Sequence, residues 1–390
     1  MVYRIGLILV VLMLPISGGA DVIHREAQVS DESLEALNYL LGFVGPSRVD
    51  LRQFKPDKIT AVLKFLAAPK EQGTLYHAGV SNGTPSAYYE VDIARRLDQI
   101  IRLTYHPDIP AVFTAPSTVR LAHWEQIDTR DHQLPKLWEP LPEPFSPVFF
   151  SGVEHLVNTP DQTTGAYYGY NLYRSVILTR VSGRNLLISL SRQAGTSSVG
   201  RRGLVIGSDD RWDYLYTERP GLNRFGLGWV DSYMYDSYSV AFYLENPGGP
   251  TVRFGVFKWL RAGWSNINLV RRAHIYGGLQ RYGEVFRQIV EHSGVANVAA
   301  LSKRLLEIRR LPDDRLRGVA RDYLEGVRDQ AETAGLLSKN EARTVFDERS
   351  YLNAMGREAM QSVVVLEYLK QLLGKPHRVD LKPLLPVPSD

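Results

Sequence analysis

The sequence predicts an α+β protein: a curved antiparallel sheet packed against helices, with a helical C-terminal region. Three features carry that expectation. Apolar residues recur at helical spacing at both ends of the chain, strand-length apolar runs fill the middle, and the turns between those runs are short. Short turns can join only antiparallel neighbours. Helices with one apolar stripe need a partner surface, which the preceding sheet supplies.

The elements follow in order. Residues 1–20 have the pattern of a cleavable secretory signal peptide. Arg4 precedes an apolar run from Ile5 to Leu14, Pro15 breaks it, and Gly18, Gly19 and Ala20 are the small residues of a cleavage site. The run is about ten residues long, whereas a bilayer-spanning helix needs roughly twenty. An uncleaved anchor is the competing reading. The mature chain is expected to begin near Asp21 and to be periplasmic or secreted. No later segment has an apolar run long enough to span a membrane, so no transmembrane segment is expected after cleavage.

Residues 21–133 form a mixed N-terminal region. One helix is expected from Asp31, with Leu34, Leu37, Leu40 and Leu41 on one side and Gly45 beyond its end. Another follows Asp57, carrying Ile59, Val62, Leu63 and Leu66. Thr74–Gly79 and Ala87–Ile93 have strand character and are expected to pair across Ser81-Asn82-Gly83. Asn82-Gly83-Thr84 is also a glycosylation sequon, but Asn-Gly is the preferred two-residue hairpin turn. Ile93, Leu97, Ile100 and Ile101 continue as a short helix. Residues 134–147 hold Pro135, Pro140, Pro142, Pro144 and Pro147, which predict an extended connector and the best site for a domain boundary. A strap across one continuous domain would have the same sequence.

Residues 148–278 are strand-rich. Val176–Val181 and Leu186–Ser191 flank one turn, Tyr238–Leu244 and Thr251–Lys258 flank another, and Tyr167–Tyr173 and Trp212–Thr217 add strands. Residues 279–375 are helical. A first stripe runs from Leu279 through Val290 to Gly294, a second carries Leu301, Leu305 and Leu306, and Asp313 or Asp314 caps a third. Ser338 and Glu341 form a capping box whose helix is expected to reach Leu373, with Gly356 a weak point costing about 1 kcal/mol. Residues 376–390 are an extended tail.

Composition narrows the chemistry. The 390-residue chain has no cysteine, which removes disulfides, thiolate metal sites and thiol nucleophiles. Its 46 basic and 42 acidic side chains leave +4, or +3 without Arg4, too little to argue for nucleic acid. The loop Gly195-Thr196-Ser197-Ser198-Val199-Gly200-Arg201-Arg202 has the glycine spacing of a phosphate loop, but arginine stands where lysine and a hydroxyl belong. It is expected to be a mobile surface loop. The stretch 123–132 gathers His123, Glu125, Asp128, Asp131 and His132, yet their spacing fits no metal signature, so an exposed loop and no metal are expected. No nucleophile elbow is present and no cofactor motif stands out.

Aromatic density is the strongest local anomaly. Tyr214 and Tyr216 alternate with Trp212, as do Tyr233 and Tyr235 with each other, and Trp229 lies between the pairs. Aromatics on one strand face can pack under helices or line a pocket, and tyrosine hydroxyls favour the pocket. The leading expectation is therefore an exported binding or carrier protein for an apolar or amphipathic ligand such as a lipid. Tyr214, Tyr216, Trp229, Tyr233 and Tyr235 would line its site, with Arg201 and Arg202 near a headgroup. One alternative is an envelope glycan hydrolase drawing its acid and base from Glu154, Glu218, Asp231 and Asp236. Another is a non-enzymatic subunit of an envelope complex, docking through the C-terminal helices to a protein partner.

Overall fold

The computed structural model describes residues 23–47, 50–81, 83–139, 146–161, 164–220, 222–224, 228–335, 352–353 and 355–384. The expected leader, Asn82 of the turn, the middle of the proline-rich connector and the Ser338–Glu341 capping box lie outside them.

The fold is α+β, as expected. Its strands are β1 (Arg25–Gln28), β2 (Thr74–His77), β3 (Val80–Ser81), β4 (Thr84–Ile93), β5 (Val119–Ile127), β6 (Val148–Asn158), β7 (Ala166–Tyr167) and β8 (Gly169–Val181). They continue with β9 (Arg184–Gln193), β10 (Arg201–Val205), β11 (Tyr214–Pro220), β12 (Leu222–Arg224), β13 (Gly228–Val230), β14 (Tyr233–Glu245), β15 (Val252–Trp264) and β16 (Ile267–Asn268). The helices are α1 (Asp31–Leu41), α2 (Thr60–Ala67), α3 (Leu97–Tyr105), α4 (Ala111–Thr114), α5 (Arg272–Glu291), α6 (Val298–Arg309), α7 (Asp313–Thr333) and α8 (Arg357–Leu372).

One antiparallel sheet dominates, in the order β3-β4-β15-β14-β9-β8-β6-β5, with β16 also pairing β15. It takes strands from both sides of the proline-rich connector, and β5 and β6, which flank that connector, are neighbours. The turn between β8 and β9 has Ser182 and Gly183 at positive φ, 50° and 76°, which matches the twist of a two-residue hairpin. Ser81 lies opposite Thr84 in the Asn-Gly hairpin. The strand Thr74–His77 departs from expectation, because it pairs in parallel with Arg25–Gln28 in a separate small sheet.

Both faces of the large sheet are covered, and side-chain alternation sorts each strand between them. On one face, α1 and α2 close over Tyr88, Ile177, Ile188, Leu190, Val240, Phe242 and Phe257. On the other, α3, α5 and the C-terminal helices cover Tyr89, Val176, Leu187, Tyr243, Phe254 and Val256. Two glycines set these layer spacings. A Cβ on Gly255 would stand 2.5 Å from Leu66 of α2, and one on Gly283 of α5 would stand 2.4 Å from the Tyr89 ring.

The C-terminal helix starts later than the sequence suggests. Gly356 is its N-cap, with an extended ψ of 161°, so the glycine begins α8 instead of weakening its middle. A buried charge network then fixes that helix. Lys370 Nζ meets Asp213 at 2.5 Å and Glu367 at 2.7 Å, and Arg378 Nη2 reaches the second Asp213 oxygen at 2.6 Å. Two cations face two carboxylates, so no charge in the network is left without a counter-charge.

Candidate functional site

A polar row crosses four adjacent strands on the face toward α3 and α5. Lys258 on β15 stands opposite Ser239 on β14, Ser239 opposite Ser191 on β9, and Ser191 opposite Arg174 on β8. At about 4.8 Å between strands, the two cations are set roughly 14 Å apart along the backbone. The alternation that buries Val256 and Val176 on this face puts Lys258 and Arg174, two residues away, on it as well.

Hydrogen bonds hold the row together. The Ser191 and Ser239 hydroxyls are hydrogen-bonded to each other at 2.6 Å, and Arg174 Nη1 donates to Ser189 at 3.1 Å. Arg174 also grips one Glu154 oxygen through Nε at 2.7 Å and Nη2 at 2.6 Å. Lys258 differs. Its Nζ donates to Ser237 at 2.6 Å, and it has no carboxylate partner among the described residues. Burial, with the positive Arg174 adding to it, lowers the ammonium pKa to about 8.

Four tyrosines lie near the Arg174 end of the row: Tyr105 of α3, Tyr170 of β8, Tyr243 of β14 and Tyr282 of α5. Burial raises all four hydroxyls, Tyr282 to about 12, so they stay protonated at neutral pH. Tyr282 stacks on Phe286 at 5.8 Å. Lys258, Ser239, Arg174, Tyr170 and Tyr282 are each half-buried, whereas Ser189, Ser191 and Ser237 are buried. An apolar strip adjoins the row, where Tyr170, Leu260 and Ala262 lie half-buried over Ala166, Tyr168 and Met234.

The residues named from sequence fall into several places. Tyr214 and Tyr216 are neighbours, with rings 6.3 Å apart, and line a cavity with Arg120 and Tyr323. That cavity is ≈ 30 Å³, enough for one or two waters. Arg120 lies 3.8 Å from the centre of the Tyr216 ring and closes it on one side. Trp212 is no part of the strand. It has a left-handed φ of 54° and no exposed surface. Tyr233 and Tyr235 are also 6.3 Å apart, with Arg261 4.8 Å over the Tyr235 ring. No ring contact joins the two tyrosine pairs among the described residues. The Trp229 side chain lies outside the described residues, Arg201 pairs with Glu218 at the surface, and Arg202 is half-buried in β10.

Two local expectations are corrected. The 195–202 segment is tied down by Ser197 and Gly200, whose amides bond Met234 and Ser232 carbonyls at 3.0 and 2.8 Å, and its last residues open β10. The start of the 123–132 stretch is part of edge strand β5, where His123 lies opposite His155.

The row escaped the sequence reading because register is a spatial property. Its trace was nevertheless present. Ser189-Leu190-Ser191 and Ser237-Tyr238-Ser239 place serines at alternate positions inside strands that are otherwise apolar, as strands covered on both faces should be.

Lys258 and Ser237 are spaced as a base and nucleophile, but Ser237 has no exposed surface for a substrate to approach. Glu154 is bound to Arg174, and Asp236 is bound to Arg261 at 2.7 Å on a side chain directed to the opposite face. The chain matches no protein-family model and no curated protein. No helix among the described residues is long and apolar enough to cross a membrane.

Proposed function

We propose that the protein is an exported binding or carrier protein for an amphipathic ligand with an acidic head. The acidic group sits beside Lys258, on the side toward Arg174, with Ser239 as a hydrogen-bond donor. The apolar part lies along Leu260, Ala262 and Tyr170. Lys258 carries this reading: it is a half-buried cation with a hydroxyl partner and no carboxylate among the described residues. A desolvated cation of that kind attracts an anion that completes its pairing. Export is the part of the proposal that rests on residues 1–20 alone.

The test is a titration of the mature protein with a fluorescent long-chain carboxylate and, separately, its methyl ester. The acid is expected to bind at least about tenfold more tightly, and Lys258→Met is expected to erase the difference, as a lost charge-assisted bond implies. Equal binding of acid and ester by the unaltered protein would sink the proposal.

A further inference from the structure

The opposite face, one residue out of phase with the polar row, carries a second row. Trp259 lies opposite Tyr238, Tyr238 opposite Arg192, and Arg192 opposite Tyr173. The rows alternate because consecutive strand residues point to opposite faces. Here the helical cover is incomplete. Between α1 and the sheet edge a cleft of ≈ 170 Å³ is lined by Asn38, Leu41, Ser81, Arg192, Tyr238 and Trp259.

The size and lining of this cleft restrict its occupant. It is smaller than the roughly 300–1,000 Å³ of pockets for drug-sized molecules, so it holds about one ring. Tyr238, half-buried, and Trp259, 2 % exposed, line it from adjacent strands, while exposed Asn38 and Ser81 add an amide and a hydroxyl. Arg192 is exposed, with its guanidinium 5.5 Å from the Tyr238 ring centre, and it has no carboxylate partner among the described residues. A lipid tail would leave those polar groups without partners, and a flat apolar ring would leave them unused as well. A pyranose has C–H faces for the aromatics and hydroxyls for the polar groups, and a carboxylate on that ring would meet Arg192.

We infer that this cleft is a binding site for a uronic acid residue, either free or at the end of a chain. The test is saturation-transfer NMR on the mature protein with glucuronate, glucose and a short oligoglucuronide. Glucuronate is expected to bind about tenfold more tightly than glucose. Arg192→Ala should bring the two to equality, and Tyr238→Ala should abolish transfer to both. Both side chains are solvent-exposed or half-buried, and circular dichroism verifies that each variant is folded. Lys258→Met should change none of these results, which separates this cleft from the proposed site at Lys258 on the other face. A stronger response from the oligomer assigns the site to a chain end, and an equal one to the free sugar. No transfer from any of the sugars, or an unchanged preference in Arg192→Ala, overturns the inference.

Discussion

The two faces of the large sheet, compared at one level, differ more than their shared strands suggest. Toward α3 and α5 the residues are Lys258, Ser239, Ser191 and Arg174, and toward α1 they are Trp259, Tyr238, Arg192 and Tyr173. Nearer the middle of the strands, both faces return to aliphatic and aromatic packing. The same backbone ladder therefore supports a dry core along most of its length and two chemically unlike surfaces at one end. A one-residue step is enough to change charge into aromatic surface, because neighbouring residues never share a face.

The comparison can be broken most sharply in the dry part. Phe242 has no exposed surface under α1 and α2. Phe242→Ala should lose about 3–5 kcal/mol, read as a lower urea midpoint with an unchanged slope. A loss below about 1 kcal/mol would mean that this face is not a packed core.

Lys258→Met should act in the other direction. The folded pKa of about 8 lies below the ordinary 10.5, so the unfolded chain binds the extra proton between those values. Stability of the unaltered protein thus rises with pH across that window, and the charged lysine is a cost below it. After allowance for solvent reaching the side chain, the variant should be about 2 kcal/mol more stable at pH 7, with the gain gone above about pH 10.5. Thermal melts across pH test this. A variant less stable at pH 7 would remove the desolvated cation from the argument. Greater stability with lost binding is the exchange expected of a ligand site.

Smaller effects sharpen the picture. Ser239→Ala should cost about 1 kcal/mol in denaturant unfolding, since it leaves Ser191 without its partner. Glu154→Gln removes the carboxylate that competes for Arg174 and should tighten the fluorescent carboxylate by about threefold. Weaker binding in that variant would show that Glu154 serves the site by holding Arg174 in place.

The sequence made much of this architecture legible and little of its chemistry. Helical spacing placed α1, α5 and α6 and the turns placed the β8–β9 and β14–β15 hairpins, because those signals are local. The parallel pairing of Thr74–His77 with Arg25–Gln28 was not legible, since nothing within either segment names a distant partner. Gly356 differs between sequence and structure for a related reason: a glycine's cost inside a helix and its value at a helix end depend on where the helix begins. The candidate site needed four registers at once. Alternating serines could have flagged it, but the pairing of Lys258 with Arg174's row emerges only when β8, β9, β14 and β15 are side by side. Aromatic density drew attention to Tyr214 and Tyr216, whose environment is a nearly filled cavity.

Strand order also sets a timetable for folding. Ile93 of β4 pairs with Val252 of β15, so this N-terminal strand has no neighbour on that side until most of the chain has emerged from the ribosome. Such distant pairing slows folding, because a long loop must be closed before any contact rewards it. While it waits, β4 presents Tyr89 and Val91, on the face that α5 covers later in the chain, an opportunity for unwanted association between chains. A chain truncated before Val252 would lack the partner strand that Ser86–Ile93 of β4 pairs with on that side.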